Sequence, residues 1–253
     1  MTYGLIGIGA IATAIVSGMS DGVESPPTIL LSPRNASLAA ELASRYRNVQ
    51  VCASNQDVID GASTVILCLR PQDAPPVLRT LHFSAGQSII SVMAGIPIEA
   101  LHPLVAPATA IARSIPLPSV AHRDGVTVIL PPGGAAKALF DPLGGTIELE
   151  SQQLFDAFSS ATATVAAHFE YLDTASRWLA ARGVSSGDAV RYIASVFIGL
   201  TPALRSGENF QRLAQDHTTP GGINELFVGH LRGHGVYGLV DEGLDRVAKK
   251  IAG

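Results

Sequence analysis

Lysine, cysteine and long apolar runs are scarce in this sequence, and each scarcity narrows the range of functions. Only three of the 253 residues are lysine, and 17 Lys and Arg residues face 21 Asp and Glu residues, for a net charge of −4. A basic stripe that neutralises a phosphate backbone is missing, so we expect no nucleic-acid partner. No unbroken apolar run reaches the roughly 20 residues of a membrane-spanning helix, so we expect no membrane partner.

The cysteines and histidines do not stand in a pattern that predicts a metal site. The two cysteines, Cys52 and Cys68, lie in strand-like runs, a position typical of buried thiols and not of a disulfide. This use of cysteine fits a reducing cytoplasm, which is the location that we expect. His230 and His234 are four residues apart, but no third ligand stands at a suitable spacing, and we expect no metal.

The chain changes character near residue 150. Before it, short β-branched runs alternate with amphipathic stretches, beginning TYGLIGI, IATAIVSGM, TILLS and ASLAAELASRY. This alternation is typical of βαβ units and a parallel sheet, whereas the later segments carry helical spacing without a clear strand. The sequence therefore predicts an α/β protein with an N-terminal Rossmann-like dinucleotide-binding domain (1–149) and an all-helical dimerisation domain (150–253).

A G-x-G-x-x-A motif follows the first predicted strand and opens the first predicted helix. The first glycine permits a tight turn, the second lets a pyrophosphate approach the backbone, and the alanine allows close helix packing. The helix N-terminus adds unpaired N–H groups and a positive dipole end. The cofactor turn is predicted to comprise Gly7, Gly9, Ala10, Ile11 and Ala12.

The end of the second predicted strand distinguishes NADP from NAD. An NAD enzyme usually places an acid there to accept the ribose 2′-OH, but this segment reads LSPRN and contains none. Ser32, Arg34 and Asn35 offer hydroxyl, guanidinium and amide donors, which suit a 2′-phosphate. We therefore predict that NADPH is preferred over NADH.

The scarcity of lysine also excludes several oxidoreductase classes. The sequence contains no Tyr-x-x-x-Lys pair of a short-chain dehydrogenase. The β-hydroxyacid dehydrogenases use a lysine in their helical domain, but here the helical half has none before Lys249. A hydride transfer that depends on a lysine acid is therefore unsupported.

Five stretches spread over nearly the whole chain resemble the pyrroline-5-carboxylate reductases. They are GLIGIGAIATAIVSGM, SNQDVIDGASTVILCLRPQD, SVMAGIPIEAL, IARSIPLPSV, and HTTPGGINEL with the following GHGVYGLVDEGLDRV. The resemblance implies an NADPH-dependent reductase of a cyclic imine, with conversion of 1-pyrroline-5-carboxylate to L-proline as the leading expectation. It also implies a homodimer or higher homo-oligomer that assembles through the helical domain.

The resemblance further implies a set of ligand contacts. Asn55 is expected on the adenosine side of the cofactor, and the nicotinamide side is expected to be flanked by Leu69, Arg70, Pro71, Ala94 and Gly95. Backbone N–H groups of a Pro-Gly-Gly turn are expected to hold the substrate carboxylate. That site is predicted to comprise Thr219, Gly221, Gly222, Ile223 and Asn224. The candidate catalytic donors beside the imine nitrogen are Asn224 and Thr219, with His217 as a further candidate.

The departures from the family pattern lie on the substrate side. The segment around Leu117 lacks an Asn-Thr pair, and Asn224 replaces a threonine. A site built for one small imino acid is not expected to accept another unaltered. Two alternatives therefore stay open: a reductase of a different imine or imino acid in a specialised pathway, and a non-catalytic NADP-binding sensor or interaction protein.

Overall fold

The computed structural model describes residues 1–252, and its first part is built on an eight-stranded sheet. The strand order is β3-β2-β1-β4-β5-β6-β7-β8, so that β1 lies in the interior of the sheet. The strands are β1 (Thr2–Ile6), β2 (Thr28–Leu31), β3 (Val49–Val51), β4 (Thr64–Leu67), β5 (Ser88–Ser91), β6 (Ala110–Ile115), β7 (Thr127–Leu130) and β8 (Thr146–Glu148).

Seven helices accompany the sheet among the residues before 162. They are α1 (Ala10–Ser20), α2 (Ala36–Arg45), α3 (Asn55–Gly61), α4 (Ala74–Leu78), α5 (Ile98–Val105), α6 (Gly134–Phe140) and α7 (Gln152–Ala161). Alternate strand residues enter two different apolar clusters: Leu5 packs with α1, α2 and α6, whereas Ile6 packs with α3, α4 and α5. Both faces of the sheet are therefore covered, as the continuous apolar strands require.

The direction of β7 corrects the prediction of a parallel sheet. β7 pairs antiparallel with β6, and Arg113 stands opposite Leu130, whereas the other neighbouring strands pair in parallel. A parallel crossover needs a connection of a dozen or more residues, usually a helix. Between β6 and β7 the chain has only the short 3-10 turn Pro118–His122, so β7 returns beside β6.

The second part is helical throughout its described residues. Its helices are α8 (Thr164–Ala180), α9 (Ser186–Ile198), α10 (Thr201–Arg205), α11 (Phe210–Asp216), α12 (Ile223–Gly233) and α13 (Val236–Ala252). The rings of His168 and Tyr171 on α8 meet Phe197 of α9 edge-on, with centroids 5.5 and 5.9 Å apart. Among residues 160–251, Ala189 is the one buried apolar side chain.

The chain therefore has the predicted α/β fold with a Rossmann-like domain followed by a helical domain, and this prediction is confirmed. The compact units comprise residues 1–159 and 160–251. The predicted division after residue 149 stays a prediction, and Gly253, which it includes, lies outside the described residues. No helix within residues 1–252 combines the length and apolarity needed to cross a bilayer.

Candidate active site

A cleft opens in the first unit where the strand order reverses. β1 and β4 are neighbours in the sheet, and the connections that follow them lead to opposite sides. In open α/β sheets, ligands bind at this switch point, beyond the carboxyl ends of the strands. The cleft has a volume of about 300 Å³, and it is lined by Gly7, Ile8, Gly9, Arg34, Asn35, Cys68, Leu69, Arg70 and Asp73.

Two glycines shape the turn between β1 and α1. Gly7 has a φ of +91°, and a Cβ there would lie 2.8 Å from the Cys68 carbonyl oxygen, so a side chain is excluded by both strain and contact. Gly9 has extended backbone and caps α1, and a Cβ on it would meet no atom within 4 Å. Gly9 thus leaves open space beside the N-terminus of an 11-residue helix, which is the arrangement that a pyrophosphate requires.

Two of the three predicted 2′-phosphate donors stabilise this turn internally. Ser32 is fully buried, and its Oγ accepts a hydrogen bond from the Gly7 N–H at 3.0 Å. Asn35 adopts a left-handed conformation at the start of α2, and its Nδ2 donates to the Ile8 carbonyl at 2.9 Å. The structure thus leaves Ser32 out of the cleft wall, whereas Arg34 and Asn35 line it.

The third donor, Arg34, belongs to a charged group that spans two loops. Arg70, which follows β4, donates from Nε to Oδ2 of Asp73 at 2.9 Å, and its Nη2 lies 2.9 Å from the same oxygen in an ion pair. Arg34, which follows β2, brings its Nη2 to 3.8 Å from the same oxygen. The two guanidinium groups therefore lie on one side of the cleft, and Arg70 is beside Arg34. Asp73 was not predicted as a site residue. The glycine motif predicts ribose contacts at the end of β2, and Asp73 lies about 40 residues beyond that segment.

The remaining predicted cofactor contacts are spread over three loops. Leu69 lines the cleft, and Pro71 begins the 3-10 turn Pro71–Asp73 directly beyond it. Ala94 and the positive-φ Gly95 are exposed in the turn after β5, and Asn55 is half-buried at the start of α3. None of these last three lines the described cleft. Their contacts stay predictions.

Cys68 is one of the residues that line the cleft, and its side chain packs against the apolar core. Burial raises the pKa of the Cys68 thiol to about 12, so the group is protonated at neutral pH. A thiol in this state is a weak nucleophile. Cys68 therefore adds no negative charge beside the cleft.

The predicted substrate turn lies in the second unit, before α12. Gly221 has a φ of +72°, and its N–H donates to Oε2 of Glu225 at 2.7 Å. Gly222 caps α12, and its N–H donates to the Thr219 carbonyl at 2.9 Å. A carboxylate oxygen of the chain thus already accepts a hydrogen bond from the turn. Sequence reasoning missed Glu225, although Glu three residues into a helix is a known capping pattern.

Asn224 lies beside an apolar groove of the second unit. Its Nδ2 donates to the His217 carbonyl at 2.9 Å, which brings together two of the three candidate catalytic residues. The groove has a volume of about 390 Å³. It is lined by Tyr171, Val196, Phe197, Leu200, Ala203, Leu204, Phe210, Leu213, Ala214, His217, Thr218, Asn224, Phe227 and Val228.

A buried arginine, also missed, ties β6 to α7 within the first unit. Arg113 is 2% exposed, its Nη1 lies 3.7 Å from Oδ1 of Asp156, and its guanidinium stacks 4.3 Å from the centroid of the Phe155 ring. Burial lowers the pKa of Arg113, and the charge of Asp156 opposes that shift. In the sequence, Arg113 lies in an apolar strand, and no pattern there indicates that Asp156 is its partner.

Two family models match the chain, one for each domain. The model described as NADP oxidoreductase coenzyme F420-dependent matches residues 2–95, and the model described as pyrroline-5-carboxylate reductase dimerisation matches residues 152–253. The first match contains the glycine turn and both cleft arginines. The second contains the Pro-Gly-Gly turn.

Individual relatives with the name pyrroline-5-carboxylate reductase match most of the chain. The chain is 26% identical to pyrroline-5-carboxylate reductase 2 of Bacillus subtilis, over 88% of this chain and 84% of that protein. Solved structures of two pyrroline-5-carboxylate reductases match its fold. The structure from Streptococcus pyogenes has a TM-score of 0.83 at 24% identity and covers 99% of this chain and 98% of that one. The NADP-bound structure from Plasmodium falciparum has a TM-score of 0.80 at 15% identity and covers 99% of this chain and 97% of that one. An NADP oxidoreductase model over the first part, a pyrroline-5-carboxylate reductase dimerisation model over the second, and reductases of that name as relatives over most of the chain together show that the protein belongs to the pyrroline-5-carboxylate reductase family.

Proposed function

We propose that this protein is an NADPH-dependent oxidoreductase that reduces a C=N bond, converting 1-pyrroline-5-carboxylate to L-proline. The observation that carries the proposal is the cleft at the strand switch point, where an open glycine turn and two arginines lie together. The relatives, named as reductases of this substrate, support the reaction.

The cleft residues fit a dinucleotide with a phosphate on its ribose. The N–H groups at the start of α1 hold the pyrophosphate, and Gly9 gives it access to the backbone. Arg34 and Arg70 provide positive charge for the 2′-phosphate, and Ser32 and Asn35 fix the glycine turn. When bound, the nicotinamide supplies the hydride for the C=N carbon.

The turn before α12 orients the substrate. The substrate carboxylate replaces the Glu225 carboxylate as acceptor of the Gly221 N–H, and the Gly221–Glu225 hydrogen bond supports this role because it already joins the turn to a carboxylate. Asn224 donates from Nδ2 to His217, which leaves its Oδ1 to accept the N–H of the protonated imine. The protonated imine is itself electrophilic, so the chain needs to orient it and requires no strong acid.

The helical unit supports assembly of two copies. Large apolar side chains there are more than half exposed in the single chain, among them Ile198, Phe210, Ile223 and Leu226. Apolar surface of this extent is typical of an interface between subunits. A homodimer formed through residues beyond 150 covers it, in agreement with the matched dimerisation family.

The decisive experiment is a turnover assay with a matched set of imines. NADPH oxidation is followed with 1-pyrroline-5-carboxylate, with 1-pyrroline, which lacks the carboxylate, and with piperideine carboxylates, and the product is identified as L-proline. We expect kcat/KM to be highest for 1-pyrroline-5-carboxylate and at least ~100-fold lower for 1-pyrroline, since the unpaired site groups disfavour the smaller imine.

Other results assign other functions. Turnover only with a different imine would contradict 1-pyrroline-5-carboxylate as the substrate but would support the reduction of a C=N bond. NADPH binding without turnover of any imine supports a sensor and contradicts the proposal.

Replacing Glu225 by Gln is expected to lower KM for 1-pyrroline-5-carboxylate about threefold to tenfold, because a negative charge leaves the turn that holds the substrate carboxylate. Glutamine still accepts the Gly221 N–H, so the start of α12 is retained. Steady-state kinetics measure KM and kcat, and kcat is expected to stay within twofold.

The matched control is Glu242→Gln, which removes an exposed acid of α13 and changes the net charge equally. It is expected to leave KM unchanged. If the Glu225→Gln enzyme had the wild-type KM, the result would show that the substrate carboxylate does not bind at this turn.

A further inference from the structure

The charged group in the cofactor cleft contains an acid that the sequence pattern does not provide. An acid is missing from the end of β2, where NAD enzymes usually carry one. Asp73 reaches the same cleft from the 3-10 turn after β4, and it lines the wall with Arg34 and Asn35. A carboxylate therefore does lie on this wall, contributed by the turn after β4 and not by the end of β2.

The two oxygens of Asp73 have different surroundings. Oδ2 accepts a hydrogen bond from Arg70 Nε, forms an ion pair with Arg70 Nη2 at 2.9 Å, and lies 3.8 Å from Arg34 Nη2. Within the described residues, Oδ1 has no hydrogen-bond partner. The Asp73 side chain is 25% exposed, against 61% for Arg34 and 71% for Arg70. The acid is thus held in place on the wall, whereas both guanidinium groups are free to reorient into solvent.

We propose that Asp73 is a specificity-determining residue that lowers the preference for NADPH and lets the cleft accept NADH. This inference rests on the proposed use of a nicotinamide dinucleotide. The Oδ1 atom accepts the ribose 2′-OH of NADH, the role that an acid after β2 has in other Rossmann-like sites. With NADPH, the same carboxylate repels the 2′-phosphate and competes with it for the two arginines.

The charges decide the direction of this effect. Arg34, Arg70 and Asp73 together carry +1, whereas the arginines alone would carry +2 opposite a 2′-phosphate. An ion pair between largely exposed groups is weak, so the phosphate can draw Arg70 away from Asp73. The carboxylate nevertheless stays within a few ångströms, at a distance where salt screening at ordinary ionic strength is incomplete.

The test compares Kd values of NADPH and NADH for the full-length wild type and for Asp73→Asn, measured by titration at one ionic strength. Asparagine preserves the size of the side chain. We expect the Kd of NADPH to fall about threefold to tenfold and that of NADH to rise by a similar factor, from the loss of one nearby charge and one acceptor. Arg34→Ala is expected to act oppositely, raising the NADPH Kd about tenfold or more with little change for NADH.

The charge-matched control is Asp60→Asn, on the exposed end of α3 and outside the cleft lining, which should leave both Kd values unchanged. If Asp73→Asn weakens NADPH, Asp73 only positions Arg70 and the inference is overturned. An unchanged ratio of the two Kd values overturns it as well. A wild type that binds neither nucleotide refutes the proposed function itself, so the two failures are distinct.

Discussion

Replacing Gly9 by valine is expected to abolish NADPH binding without destabilising the protein. The φ of −135° and ψ of −166° at Gly9 are open to any residue, and a Cβ would meet no atom within 4 Å. The side chain would therefore occupy the space through which a pyrophosphate reaches the start of α1. We expect Kd to rise at least ~100-fold, which corresponds to about 2.7 kcal/mol. Titration with NADPH measures the loss, and thermal unfolding measures the stability.

Gly86→Val is the matched control for this variant. Gly86 also has no atom near its Cβ position, but it lies outside the cleft lining. Its NADPH affinity is expected to equal that of the wild type. Gly7 is unsuitable for this test, because a side chain there strains the backbone and approaches the Cys68 carbonyl. A loss of NADPH binding could then not be separated from a loss of folding. Wild-type NADPH affinity in a folded Gly9→Val protein would falsify the cofactor assignment.

Replacing Asp156 by alanine is expected to lower the free energy of unfolding by roughly 3–5 kcal/mol, because it leaves the charge of Arg113 buried without its partner. An arginine is not neutralised at neutral pH, and strands and the Phe155 ring enclose this one. Urea unfolding at a fixed protein concentration measures the loss. The concentration is held constant because subunit association adds to the measured stability.

The exposed pair Asp173–Arg177 on α8 provides the comparison. Its Nε–Oδ2 distance is 2.7 Å, shorter than the buried pair, yet both side chains are more than half exposed. Asp173→Ala is expected to cost less than ~1 kcal/mol. In the Asp156→Ala background, Arg113→Met is expected to recover much of the loss by removing the unpaired charge. If Asp156→Ala and Asp173→Ala lowered the free energy of unfolding equally, burial of Arg113 would not be the cause of the loss.

Features that depend on near neighbours in the chain were predictable. The glycine turn, the strand before it and the helix after it occupy adjacent residues, and the apolar runs TYGLIGI and TILLS contain β1 and β2. The change to helical spacing near residue 150 likewise needs no distant contact. Local backbone preference and the period of apolar residues are properties of the segment itself.

Features that depend on which strands are neighbours were not predictable. Ser32 and Asn35 have the donors that a phosphate needs, but these groups hold Gly7 and Ile8 in place. Asp73 joins Arg34 only because β4 lies next to β1 in the sheet, and spacing along the chain does not reveal that proximity. Arg113 and Asp156 are likewise 43 positions apart and meet through folding.

The sequence by itself determined the order of the two domains, the type of cofactor turn and the family, because each rests on contiguous motifs. Tertiary structure alone decided the antiparallel return of β7, the buried Arg113–Asp156 pair and the position of Asp73 beside Arg34 and Arg70. The physical reason is that charge acts through space. A carboxylate a few ångströms from two guanidinium groups changes their affinity for phosphate, however far away it stands in the chain.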